Sequence, residues 1–195
     1  MPPRRVEAVI RSGRFKLPAA NAAVTIIHGR TSAAKFRPIY RISNTGDKPL
    51  ELSGNPGGPT TVLPDCSLDC GAVASVTVKN TAAGEDIEGI YDSNLLSPEV
   101  RSGKFKLPGG GPATAKIILL DKATVQTTTP AYRIYNTGSL PFDVVSEGNA
   151  ALPVAADSSV DIELKGMAGN APSEVSVSAG GLPIEGIYEL LSHKD

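Results

Sequence analysis

Aromatic, histidine and cysteine residues are scarce in this chain of 195 residues. It has no tryptophan, two histidines, two cysteines, five tyrosines and four phenylalanines. So few histidines and cysteines leave little material for a zinc site or for histidine-based acid–base chemistry. The longest apolar runs, such as residues 117–120, span only a few positions, whereas a membrane helix needs roughly 20. We therefore expect neither a bound metal nor a membrane span.

A secretory signal is also missing from the first residues. Arg4 and Arg5 are followed by a stretch that Glu7, Arg11 and Arg14 interrupt, so no apolar segment forms behind the basic start. A signal peptide requires that apolar segment. The sequence predicts a protein made in the cytoplasm without a signal peptide.

Turn-forming residues are abundant instead. The chain has 20 glycines and 16 prolines, while hydrophobic residues make up 41% of it. A chain of this composition can bury a core, and frequent glycine and proline favour short strands joined by turns.

Three sequence blocks occur twice in the same order. The pairs are residues 11–18 and 101–108, 40–46 and 132–138, and 87–91 and 184–188. Ordered recurrence with nearly constant spacing indicates internal duplication. The sequence predicts two homologous domains, residues 1–97 and 98–195, which touch because the join is short.

Alternating and β-branched segments occur at matching places in both copies. They lie at residues 23–27, 38–42, 49–52 and 75–78, and at 115–119, 130–134, 141–145 and 175–177. Strands at this spacing favour a sandwich or a barrel. The predicted fold is all-β, with two tandem homologous β-sandwich (Ig-like) or small β-barrel domains. Gly46 and Gly138 are predicted to supply positive φ in Asn-Thr-Gly hairpins.

The segments 40–50 and 132–142 share the pattern Tyr-Arg-Ile-x-Asn-Thr-Gly-x-x-Pro-Leu/Phe. This pattern resembles the central hairpin of Ig-like β-sandwich repeats in bacterial and viral surface or decoration proteins. The resemblance covers about a dozen residues per copy and implies a fold, whereas function depends on sites.

Several duplicated residues have the pattern of a core. The predicted core members are Phe15, Leu17, Ile42, Ile87 and Ile90 with their counterparts Phe105, Leu107, Ile134, Ile184 and Ile187. Tyr91 and Tyr188 are predicted to cap it, with the hydroxyl reaching water or backbone. Arg41 and Arg133 either point outward or pair across the sheet.

The two cysteines are predicted to be unbridged. Residues 65–70 align with 157–162, which places Ser158 at the position of Cys66 and Ile162 at that of Cys70. Residues four apart in a strand lie about 13 Å from each other, too far for a disulfide. A disulfide across a loop is the alternative if the segment is not extended.

No residue set common to both copies supports catalysis. His28 has an apolar counterpart, Leu119 or Leu120, and His193 lies at the C-terminus. The recurring carboxylates, Asp65, Asp69, Glu88, Asp157, Asp161 and Glu185, suit turns better than a sugar-cleaving pair because a sugar cleft usually carries aromatics. We expect no enzyme activity and no cofactor.

Positive charge is concentrated near the N-terminus. Up to Arg41 the chain has nine basic residues and a single acidic residue, Glu7, although the whole chain has a net charge of −1. The predicted partner-binding residues are Arg4, Arg5, Arg11 and Arg14, facing an acidic protein surface. The alternative is that they are ordinary solvated residues.

Duplication without catalytic residues favours a non-enzymatic structural or assembly protein. The best match is a virus or phage particle decoration (cement) protein that binds a repetitive protein surface, such as a capsid or surface layer. Its predicted location is the virion or another extracellular assembly. Self-association is left open, and neither nucleic acid nor membrane is an expected partner. The alternative is a glycan- or protein-binding module of a secreted or cell-surface complex, which the scarcity of aromatics disfavours.

Overall fold

The computed structural model describes residues 12–18, 23–28, 39–71, 75–81, 85–93, 102–146, 149–164 and 173–192. Within them the chain is nearly all β, as predicted. The N-terminal half contains β1 (Ser12–Leu17), β2 (Ala23–His28), β3 (Ile39–Asn44), β4 (Leu50–Ser53), β5 (Thr60–Val62), β6 (Ser67–Gly71), β7 (Ser75–Asn80) and β8 (Ile87–Ser93).

The C-terminal half contains β9 (Ser102–Leu107), β10 (Thr114–Leu120), α1 (Lys122–Thr128), β11 (Ala131–Asn136), β12 (Phe142–Ser146), β13 (Leu152–Val154), β14 (Ser159–Glu163), β15 (Ser173–Ser178) and β16 (Ile184–Ser192). The short helix α1 has no counterpart among the predicted elements. It begins after Asp121, whose carboxylate accepts a hydrogen bond from the Thr124 amide (3.0 Å), as an N-cap does.

The two halves follow the same strand order. The N-terminal half forms the strand sets β1-β8-β3-β6 and β2-β7-β4-β5, and the C-terminal half forms β9-β16-β11-β14 and β10-β15-β12-β13. Successive strands alternate between the two sets except at β4–β5 and at β12–β13, where two successive strands pair within one set. This is the double-sheet arrangement of a jelly roll. An Ig-like sandwich instead orders its strands ABED and CFG. The all-β sandwich prediction is therefore confirmed, but the strand order is not the Ig-like one.

The Asn-Thr-Gly turns are corners between sheets, not hairpins. β3 and β4 lie in different sheets, and neither Gly46 nor Gly138 has positive φ. The asparagine holds the turn: Asn44 Oδ1 accepts from the Gly46 amide (3.1 Å), and Asn44 Nδ2 donates to the Val62 carbonyl (3.0 Å). Asn136 repeats these bonds at 3.0 and 3.1 Å. The predicted glycine conformation is wrong because the asparagine side chain replaces backbone bonds here.

Each half has its own hydrophobic core, and the two cores contain eight of the ten predicted core residues. Phe15, Leu17, Ile42 and Ile87 are buried in one core, and their counterparts Phe105, Leu107, Ile134 and Ile184 in the other. Ile90 and Ile187 are only half-buried. They alternate with inward-facing neighbours along their strands, so period 2 assigns them to the outer face and corrects the prediction.

The halves are joined by strand pairing. β6 pairs with β10 in parallel, with Asp69 opposite Ile118 and Cys70 opposite Leu119. This contact merges one sheet of each half into an eight-stranded sheet. The predicted boundary at residues 97 and 98 lies outside the described residues.

Candidate interaction surface between and beyond the halves

A buried ion pair marks the contact between the two halves. Arg41 on β3 and Asp69 on β6 are direct cross-strand partners. Arg41 Nε donates to Asp69 Oδ1 at 2.7 Å and Nη2 donates to Oδ2 at 2.9 Å, a bidentate arrangement. The side chains are 1% and 0% exposed. The pair is therefore fully removed from solvent.

The C-terminal half covers this pair. Along β3, Tyr40 and Ile42 face the N-terminal core, so Ile39 and Arg41 alternate to the outer face, where Ile39 joins the C-terminal core. The Tyr188 hydroxyl donates to Asp69 Oδ1 (3.3 Å). The Arg41 guanidinium lies 4.8 Å from the centre of the Tyr188 ring, within cation–π range.

Three residues of the cluster, Arg41, Tyr132 and Tyr188, have raised pKa values. Burial alone would lower the pKa of Arg41, but the Asp69 carboxylate outweighs burial and raises that pKa above its ordinary value. Burial, and after it the Asp69 charge, raises the pKa of Tyr132 and of Tyr188 well above the ordinary value. Both tyrosines therefore stay neutral and Arg41 stays protonated at physiological pH.

Two further contacts cross between the halves. Leu119 on β10 is fully buried in the N-terminal core, although its strand belongs to the C-terminal half. The Lys106 amide donates to Cys66 Sγ (3.1 Å), and the Cys66 thiol donates to the Lys106 carbonyl (3.4 Å). Each half thus completes the packing of the other.

The C-terminal half carries a second copy of the ion pair, which is exposed. Arg133 Nε and Nη2 donate to the Asp161 carboxylate at 2.6 and 2.7 Å, with the same 28-residue separation. The two side chains are 39% and 52% exposed. The hydrogen bond between them raises the pKa of Arg133 and lowers that of Asp161. In the part of the chain that the structure describes, nothing covers this pair as the C-terminal half covers Arg41 and Asp69.

Among the strands that end a sheet, β14 and β2 correspond to the two strands that join the halves. β14 ends one four-stranded sheet and β2 ends the other, and within the described residues each pairs on one side only. β14 is the counterpart of β6, and β2 is the counterpart of β10. An unpaired edge exposes backbone donors and acceptors that can bind another strand.

The predicted partner-binding arginines are only partly visible. Arg4, Arg5 and Arg11 lie outside the described residues. Arg14 is exposed on β1, opposite Ile90 of β8. Sequence reasoning missed the role of Asp69, Asp161 and the Tyr188 hydroxyl. The sequence contained a signal for these ion pairs, because Arg41–Asp69 and Arg133–Asp161 have the same 28-residue separation. In the structure both arginines pair across the sheet, which was one of the two predicted alternatives.

Both cysteines are free and buried, as predicted. Burial raises the pKa of Cys66 against the opposing Lys106 hydrogen bond, and burial together with the Asp69 charge raises the pKa of Cys70. A raised pKa leaves less thiolate, the form that reacts with disulfide reagents.

We expect both thiols of the native protein to react slowly with a disulfide reagent at pH 8, and two thiols to react at once after denaturation without reductant. Raising the pH should speed the native reaction, because deprotonation becomes more favourable as pH approaches the raised pKa values. Spectrophotometric thiol titration measures both. Immediate labelling of two thiols in the native state, or none in the denatured state, would contradict the assignment.

A cleft of about 410 Å³ lies between the halves. Its lining includes Pro59, Thr61, Leu63, Pro112 and Lys116, and none of its lining residues is aromatic. Among the described residues, no group of three histidine, cysteine or carboxylate side chains could hold a metal ion. No helix in that part of the chain is long and apolar enough to cross a membrane.

Comparison with known proteins gives distant structural likenesses. No protein-family model matches the chain, and no match was found among curated proteins. The protein YhaK from Escherichia coli is 12% identical over 92% of this chain and 83% of its own, with a TM-score of 0.32. A cupin 2 conserved barrel domain protein from Leptotrichia buccalis is 11% identical over 93% and 84%, with a TM-score of 0.31. Both scores are low, and neither likeness bears on what this chain does.

Proposed function

We propose that the protein is a non-enzymatic structural or assembly protein that binds a repetitive protein surface, with particle decoration in a virus or phage as its setting. The observation that supports this is the contact between the halves. It joins two different surfaces. One is the edge of β6 with the face that carries Asp69, and the other is the edge of β10 with Tyr188 of β16. Such a heterologous contact leaves one unused surface of each kind, at β14 and at β2.

The duplication supports the same proposal. We infer that residues 1–97 and 98–195 act as two linked domains of one topology. Two linked modules that find equivalent sites on an array gain avidity even when each binds weakly. A repetitive partner is the kind that offers equivalent sites.

The basic N-terminal section supplies a contact for the array. Arg14 is exposed, and in this proposal it acts with Arg4, Arg5 and Arg11 on an acidic protein surface. Exposed charges of this kind mainly steer association, and their effect fades as salt shortens the Debye length to about 8–10 Å. Binding should therefore weaken with ionic strength.

Co-sedimentation with purified particles from the source tests the proposal. The intact chain should sediment with the particles, and binding should fall for the Arg14→Glu variant and for a chain lacking residues 1–5, most strongly at low salt. Lys104→Glu is the matched control, because Lys104 is the exposed counterpart of Arg14 on β9. Failure of the intact chain to sediment with particles at low salt would overturn the proposal. Equal loss in the Lys104→Glu variant would refute the role of the arginines.

A further inference from the structure

We propose that the exposed face of β11 and β14 binds the β2 side of a second copy of this chain, repeating between molecules the contact that joins the two halves within one. This inference rests on the proposed assembly function and names one partner, the chain itself. The two surfaces are complementary because each has a counterpart that is already paired inside the molecule.

The strand edges match in detail. β14 places Asp161 and Ile162 where β6 places Asp69 and Cys70. β2 and β10 each carry a register irregularity, after Thr25 and after Lys116, which makes Ile27 the counterpart of Ile118. Since Asp69 lies opposite Ile118 in the internal contact, Asp161 of one copy should lie opposite Ile27 of the next, in a parallel ladder.

Among the described residues, the ion pair of Arg133 and Asp161 has no counterpart of Tyr188 against it. Within the chain, Tyr188 covers Arg41 and Asp69. Its counterpart Tyr91 lies against Gly13 as Tyr188 lies against Gly103, but Tyr91 is only half-buried. In the proposed contact the Tyr91 hydroxyl of one copy donates to Asp161 of the next, and the Arg133 guanidinium stacks on the Tyr91 ring.

One replacement makes the contact between molecules weaker than the internal one. Ile39, which enters the opposite core, is replaced by Ala131. This change reduces the apolar area available for burial, so affinity should be lower. The association should be reversible and should depend on protein concentration.

The contact cannot close within a pair. A two-fold contact would use the same surface on both molecules, whereas here β14 of one meets β2 of the other. After two copies join, one β14 face and one β2 face are still free. Repetition therefore gives a closed ring or a filament of copies in head-to-tail order.

Sedimentation velocity on mixed variants provides the test. Arg133→Glu blocks the β14 face and Tyr91→Ala blocks the β2 side, so each variant alone should associate at least about ten-fold more weakly than the wild type. Mixed in equal amounts, they should form dimers and nothing larger, because one intact surface of each kind remains. Tyr91→Phe should retain most of the association, and Asp143→Lys, an exposed change on β12, should leave it unchanged.

Thermal denaturation of each variant shows that the monomers are folded, so that loss of association is not loss of structure. A wild type that stays monomeric at every concentration tested would overturn the inference, as would variants that fail to complement each other on mixing. Particle binding by a strictly monomeric chain would refute the self-association and support the assembly function. Self-association without particle binding would support the self-association and refute the assembly function.

Discussion

Replacing Asp69 by asparagine is expected to lower the free energy of unfolding by about 3–5 kcal/mol. The change keeps the side-chain shape, removes the negative charge and replaces one acceptor oxygen by an NH2 donor, which cannot accept a hydrogen bond from Arg41. Arg41, which is 1% exposed, would then lose the carboxylate that accepts its two bidentate hydrogen bonds. Removing one partner of a buried ion pair is strongly destabilising, because the charge that remains is still buried. Denaturant unfolding, followed by circular dichroism at a concentration where the wild type is monomeric, measures the difference.

Asp161→Asn is the matched control, because it makes the same chemical change in the same bidentate pair. Asp161 and Arg133 are 52% and 39% exposed, so water replaces the lost interaction. The monomer should therefore lose little stability. If both variants lost the same amount, burial by the C-terminal half would not be what distinguishes the two pairs.

Replacing Leu119 by alanine is expected to cost about 2–5 kcal/mol and to loosen the N-terminal half, although residue 119 belongs to the C-terminal half. Leu119 is fully buried in the N-terminal core, so truncation leaves a cavity there as well as losing transfer free energy. Native-state hydrogen exchange should report faster opening of the amides of β3 and β6. Denaturant unfolding gives the total loss.

Leu120→Ala serves as the control for location. Leu120 is the next residue on β10 and is equally buried, but it packs in the C-terminal core. We expect a similar total cost with faster exchange in β11, β12 and β15 instead. Identical exchange patterns for the two variants would show that the two cores open together as one unit and that Leu119 has no separate role in the N-terminal half.

The location of the strands followed from local pattern. Short β-branched segments at matching places predicted eight of them within a few residues, from β2 and β10 to β7 and β15. The free cysteines also followed, because an extended segment separates Cys66 from Cys70 by too great a distance. Both inferences needed only the geometry of the chain between neighbouring residues.

The order of the strands did not follow, because pairing joins residues far apart in sequence. The Asn-Thr-Gly segments have hairpin composition, yet β3 and β4 separate into different sheets, and Asn44 and Asn136 close the corner with side-chain bonds. A short turn signal states that the chain reverses or bends. It does not state which strand becomes the hydrogen-bonded neighbour.

By itself, the sequence showed three blocks that occur twice, predicted an all-β chain, and placed Arg133 and Asp161 at the positions of Arg41 and Asp69. Only the tertiary structure decided that the Arg41–Asp69 ion pair is fully buried and that the Arg133–Asp161 ion pair is exposed. The reason is physical: burial depends on what packs against a face, and the C-terminal half covers the outer face of β3 and β6. No described part of the chain covers Arg133 and Asp161 on β11 and β14 in the same way. The two ion pairs have the same residue types and differ in burial because different parts of the chain pack against them.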